Sequence, residues 1–143
     1  MILKWNKNYE SIGIGLLRIR FGLMLVLAHG WPTFNGLLTG GGGDYPNPLG
    51  LGGKASMFLM VFAEFFCALF VVLGLYTRIA LIPIIVGFFT AFFVFHSGDS
   101  FGSKELAFNY LVVFVLLFIT GPGRFTISDL INSFRTKTKS NEI

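Results

Sequence analysis

Six ionisable side chains stand where the chain is otherwise apolar. Arg18 and Arg20 lie in the first apolar run, Glu64 in the second, and His29, His96 and Glu105 at the ends of the first, third and fourth. An ionisable group within a membrane span costs about 2.5 to 3.5 kcal/mol on insertion scales, so it should face the bundle interior and take a partner. At about 1.5 Å of rise per residue, Arg18 lies about 10 Å in from one membrane face and Glu64 about 12 Å in from the other. Their backbones then differ in depth by under about 10 Å, a gap the two side chains can bridge, which predicts an Arg18 to Glu64 ion pair. Arg20 is two positions on, about 200° round a helix, and cannot share that partner; it is left to snorkel or to face a subunit contact. The Arg18–Glu64 pair has two readings. One is a clamp between spans. The other is a proton-handling or substrate-facing group, because a carboxyl in a low-dielectric site can exchange a proton that a solvated one has already lost.

His29, His96 and Glu105 fall at helix ends that share one membrane face in an antiparallel bundle. Two histidines from separate helices can ligate a haem or metal, or hydrogen-bond a quinone carbonyl. His-Gly and His-Ser at helix ends also occur as ordinary interfacial polar residues. No Ser-His-Asp arrangement, phosphate loop or Cys/His metal spacing is present, so a metal site is not expected and the motifs of soluble enzymes add nothing.

The elements that must position these groups follow from composition. The 143 residues are 54% hydrophobic and 13% charged, with a mean hydropathy of +0.74, outside the range of ordinary soluble domains. Four apolar runs, at about 12–30, 56–75, 79–95 and 105–120, each approach the ~20 residues needed to cross a hydrocarbon core. The fold class is therefore all-α: a four-helix membrane bundle formed by one domain over 1–143. Arg18 and Arg20, and the absence of a small-residue cleavage site before Trp31 and Pro32, argue that the first run is a retained span and not a secretory signal. The fourth run is short, so Glu105 is expected at the membrane surface.

The connections differ. Tyr76, Thr77 and Arg78 join spans two and three in a tight hairpin. Between spans one and two, residues 33–54 contain four glycines at 40–43 followed by Asp44-Tyr45-Pro46-Asn47-Pro48, which cannot propagate a helix. That loop is either a flexible tether or a lid over a site. Gly121-Pro122-Gly123-Arg124 stops span four. Thr126-Ile127-Ser128-Asp129 then has N-cap spacing, and Ile127, Leu130, Ile131 and Phe134 predict a short interfacial helix leading into a basic tail.

Charge excludes some classes. The net charge of +4 does not form a basic face, which argues against nucleic acid. Cys67 is alone in an apolar run, so no intramolecular disulfide or Cys-x-x-Cys redox pair exists. It reads as a small buried hydrophobe. The abundant Phe, including Phe88, Phe89, Phe92, Phe93 and Phe95, is explained by lipid contact and helix packing.

The order Arg18-Ile19, Gly22, His29-Gly30, Ala63-Glu64, Leu73-Gly74-Leu75-Tyr76-Thr77-Arg78, Phe95-His96, Glu105, Gly121-Pro122-Gly123-Arg124 and Asp129 resembles the DoxX family of small four-helix membrane proteins over nearly the whole chain. The family often carries a Lys after the His-Gly of span one, where this chain has Trp31-Pro32-Thr33. The resemblance implies a small bacterial inner-membrane subunit linked to quinone oxidoreductase or redox-stress systems. It would be an accessory subunit, in a homo-oligomer or beside other redox subunits, with Arg18, His29, Glu64, His96 and Glu105 as the polar or quinone site. Haem is the less favoured cofactor. The alternative is a non-catalytic scaffold, assembly factor or small transporter whose polar residues only fix helix packing.

Orientation follows from the positive-inside rule. With the N-terminus inside, Lys4, Lys7, Arg78, Arg124, Arg135, Lys137 and Lys139 lie on the inner side and only Lys54 and Lys104 on the outer, which predicts cytoplasmic termini. A fluorescent reporter at the C-terminus is expected to fluoresce, and a phosphatase inserted after Gly41 to be active only as a periplasmic domain. The opposite pair of signals would invert the topology.

Overall fold

The computed structural model describes residues 7–140, with side chains to residue 135. Lys4 and the side chains of Lys137 and Lys139 lie outside the described residues. No strand occurs among the described residues. Four helices are long and apolar enough to cross a membrane: α1 (Lys7–Leu38), α2 (Gly53–Leu73), α3 (Thr77–Phe95) and α4 (Phe101–Thr120). A fifth, α5 (Ile127–Ser140), follows the last turn. Within the bundle α1 packs on α2, and α3 on α4. Leu25, Leu81, Ile84 and Phe114 fill the interior, while Phe58, Ile79 and Ile119 are each more than 60% exposed on its outside. Such an apolar exterior is suited to acyl chains.

The helices differ from the expected spans for identifiable reasons. Helix α1 does not stop at residue 30 but runs on through Trp31 and Pro32 to Leu38, so the loop begins at residue 39. Pro32 has no N–H to donate and crowds the preceding turn of a regular helix. Here that turn is widened: Val26–Gly30 is π-helical, and the Trp31 N–H bonds to the Val26 carbonyl five residues back. Helix α4 begins at Phe101 and is not short, which puts Glu105 inside it. The α2–α3 hairpin is made by residues 74–76, with Gly74 at φ 70° and Tyr76 at φ 44°.

The larger correction concerns Arg18. It is fully buried, yet it does not pair with Glu64. Its Nε donates to the Pro122 carbonyl at 2.8 Å. Nη1 donates to the Val71 and Val72 carbonyls at 2.6 and 2.5 Å. Nη2 donates to the Arg124 and Phe125 carbonyls at 3.2 and 2.9 Å. A guanidinium has five N–H donors, and all five are used. Val71 and Val72 are in the last turn of α2, where carbonyls lack the regular intrahelical partner, and among the described residues the Val71 carbonyl is otherwise met only by the Gly74 N–H at 3.1 Å. Pro122, Arg124 and Phe125 belong to the turn after α4. Arg18 therefore lies level with the ends of α2 and α4, much closer to the membrane face than the depth count implied. The N-terminal turns of α1 run past that level.

The same corner is closed by backbone. The Arg124 N–H bonds to the Ser11 carbonyl at 2.9 Å, and a Cβ on Gly15 would strike the Arg124 carbonyl, so this crossing requires glycine. Arg78 reaches the Ile119 carbonyl at 3.4 Å. As the N-cap spacing predicts, Thr126 Oγ1 accepts from the Asp129 N–H at 3.0 Å, and Ser128 Oγ donates to the Gly74 carbonyl at 3.0 Å. The Asp129 carboxylate acts electrostatically on Arg18 from the start of α5.

Removing the guanidinium takes away five hydrogen bonds at once and leaves the Val72 and Pro122 carbonyls without another partner among the described residues. Arg18→Met is expected to cost about 3 kcal/mol or more, read as a large fall in the melting temperature and folded yield of detergent-solubilised protein. Glu64→Gln should leave both nearly unchanged. A fall of equal size for Glu64→Gln would restore the ion-pair reading.

Candidate functional site

The opposite end of the bundle, where the Gly- and Pro-rich loop lies, is built on widened turns. Besides Val26–Gly30 in α1, Phe62–Cys67 in α2 and Ala91–Phe95 in α3 are π-helical. The Ala68 N–H bonds to the Ala63 carbonyl and the His96 N–H to the Ala91 carbonyl at 2.9 Å, each five residues back. Single π turns inside α-helices often mark functional sites because they re-aim side chains. His29 and Glu64 sit on two of them. The first two π turns touch: a Cβ on Gly30 would overlap the Glu64 carbonyl and approach Phe65 Cα to 2.9 Å. Glycine at position 30 is what lets these backbones meet.

Glu64 is 6% exposed, and among the described residues no hydrogen-bond donor or cation engages its carboxyl group. Its electrostatic neighbours are two phenols, Tyr45 from the loop and Tyr110 from α4. Tyr110 is buried between Phe88, stacked at 4.9 Å between centroids, and His29, edge-on at 5.7 Å. Tyr45 lies beside the Thr33 hydroxyl, which itself donates to the His29 carbonyl at 2.8 Å. Burial first, and the Glu64 charge second, push the Tyr45 phenol above its ordinary value, with Thr33 opposing them. The phenol therefore keeps its proton through the physiological range.

Tyr45 also lines a cavity of about 480 Å³ between α2 and α3. The loop residues Pro46, Pro48, Leu49 and Leu51 form one wall, and Met60, Pro83 and Phe95 stand among the helix residues of the others. The surface is almost wholly apolar apart from Tyr45, Ser56 and Thr90. Ser56 is engaged already, donating to Asn47 Oδ1 at 3.1 Å, and the same oxygen accepts the Gly52 N–H at 3.0 Å. Asn47 thus ties the loop to the first turn of α2. Of the two readings of the loop, tether or lid, the geometry is that of a wall over a cavity.

The cluster expected from the sequence is only partly assembled. His29 and Glu64 both reach the Tyr110 neighbourhood. His96 is tied into its own loop by Asp99, Nδ1 to Oδ2 at 2.6 Å, and its ring stacks edge-on with Phe95. Glu105 is exposed on α4. Arg18 and the turn residues Arg78, Gly121, Pro122, Gly123 and Arg124 belong to the other end. Arg20 is exposed, with its guanidinium 5.9 Å from the Phe21 ring centroid. Among the described residues no three His, Cys, Asp or Glu side chains group as a metal set, and Cys67 is buried. Sequence reasoning misses Tyr45, Thr33 and Tyr110. The signal for Tyr110 is a phenol in the middle of an apolar run, and for Tyr45 an aromatic between turn residues.

Comparison with known proteins agrees with this architecture. The DoxX family model matches residues 13–97. Inner membrane protein YqjF of Escherichia coli (strain K12) is 34% identical over 133 residues, covering 88% of this chain and 97% of the relative. No solved structure gives a significant match. Together with four apolar helices of spanning length, these matches establish that the chain is a membrane protein belonging to the DoxX family.

Proposed function

We propose that this protein is an inner-membrane subunit of a redox system that takes a lipophilic quinone into the cavity between α2 and α3. The observation that carries the reading is Tyr45, a proton-bearing phenol that both lines the apolar cavity and stands within electrostatic reach of the buried, unpaired Glu64. A volume of about 480 Å³ accommodates a substituted ring, since small-molecule sites run from roughly 300 to 1,000 Å³. The apolar walls suit a ring and the start of a prenyl tail, and the open side would let the rest of the tail lie among acyl chains. Tyr45 donates a hydrogen bond to a carbonyl oxygen of the ligand. Glu64, set behind the cavity wall, exchanges a proton with the site past Tyr45, and His29 stands farther back against Tyr110. His96 and Glu105 take no part, which narrows the set that the family resemblance suggested.

The name of the Escherichia coli relative supports an inner-membrane location. The distribution of Lys and Arg supports an orientation with the Arg18 corner at the cytoplasmic face and the cavity in the outer half of the bilayer.

The test is mass spectrometry and absorption spectroscopy on gently solubilised protein, followed by titration with a short-chain quinone. Wild type is expected to carry quinone without a Soret band, and Tyr45→Phe to bind roughly tenfold more weakly, the loss of one hydrogen bond of about 1.4 kcal/mol. Glu64→Gln should bind the quinone but abolish any proton uptake coupled to its reduction in the assembled system. If the wild-type protein neither carries nor binds quinone, alone or with its partners, the proposal fails.

A further inference from the structure

Helix α4 carries an unsatisfied polar group on the outside of the bundle. Asn109 is exposed near the middle of Phe101–Thr120, and among the described residues its carboxamide has no hydrogen-bond partner. Acyl chains offer it none. It is centred on a stripe, Gly102, Glu105, Asn109, Val112, Leu116 and Ile119, that repeats at alternating intervals of three and four residues, and every member is exposed. That is the a/d spacing of a two-helix seam, in which one polar residue at an a position sets register. Beside Asn109 the surface is recessed: a groove of about 280 Å³ runs between α1 and α4, with Met24 and Val113 on its walls.

We propose that this face of α4 pairs with the same face of a second copy of the chain, the two Asn109 amides hydrogen-bonding to each other at the centre. The choice of a second copy rests on symmetry and chemistry. Copies inserted in one membrane share an orientation, so a closed pair has its two-fold axis along the membrane normal. This brings each residue on the seam opposite itself at one depth. A carboxamide is both donor and acceptor, so it satisfies its own copy, as a carboxylate or guanidinium cannot. Glu105 lies one turn nearer the end of α4, where headgroups and water can solvate it. The small Gly102 lets the helices approach on that side, and Val112, Leu116 and Ile119 supply the packing on the other.

Cysteine cross-linking in native membranes tests the contact, with Cys67→Ala as background. Asn109→Cys is expected to give an oxidant-dependent covalent dimer, and Phe118→Cys, exposed but off the stripe, to give none. In bilayers, energy transfer between labelled full-length copies should show Asn109→Leu associating roughly three- to tenfold more weakly than wild type, with Asn109→Gln retaining most of the association. Both substitutions sit on an exposed position, and unchanged yield and helicity verify folding. Equal cross-linking at both positions, a monomeric wild type at every protein-to-lipid ratio, or an Asn109→Cys adduct with a different protein alone would each overturn the proposal.

Discussion

The architecture depends on one guanidinium. Every helix that ends in a membrane leaves carbonyls without an intrahelical partner, and beside acyl chains water is not available to take them. A buried arginine has the converse problem, with five donors and a charge to place. Arg18 resolves both at one point by meeting the last carbonyls of α2 and three carbonyls after α4. Because the five acceptors come from two segments distant in sequence, the bonds hold α1, α2 and the α4–α5 turn in a single geometry. The negative ends of the α2 and α4 dipoles also point toward the positive charge, and Asp129 adds a counter-charge. An ion pair with Glu64 would have matched one acid to one base and joined only α1 to α2.

This assignment leaves Glu64 without the cation that the sequence predicts for it. A buried carboxylate paired with arginine is a structural element, costly to break and poor at exchanging protons. Here the neighbours of the buried carboxyl are two phenols, Tyr45 and Tyr110, and no arginine. The widened turns at Val26–Gly30 and Phe62–Cys67 bear directly on this. Each inserts a residue into its helix and rotates the next turn about the axis, and they meet where Gly30 admits the Glu64 backbone.

Much of the fold is legible because apolar run length and turn residues are properties of local sequence. The four crossings, the stop at Gly121 and the cap at Thr126 all follow from counting and from turn chemistry. The illegible part has two sources. A depth for Arg18 reckoned from the start of the apolar run misleads, because α1 extends beyond the bundle and run length does not locate the membrane face. The continuation of α1 through Pro32 depends on a π turn that no residue pattern announces. The site is legible only in part for the same reason. Periodicity identifies which helix ends share a face, but it cannot show that His96 is taken by Asp99, three residues away, or that Tyr45 folds back from the loop toward Glu64.

The two ends of the bundle are therefore unlike in mechanical terms. The Arg18 end is joined by side-chain bonds, by the Arg124–Ser11 backbone bond and by a glycine crossing without room for a methyl group. The loop end is held mainly by Asn47 through Ser56 and Gly52, by aromatic stacking, and by apolar contact around a cavity. The loop that walls the cavity is thus joined to the helices by fewer polar bonds than the Arg18 corner, while the helix positions are fixed from the other end. Such an arrangement fits the proposed lipophilic ligand, which would arrive laterally from the bilayer.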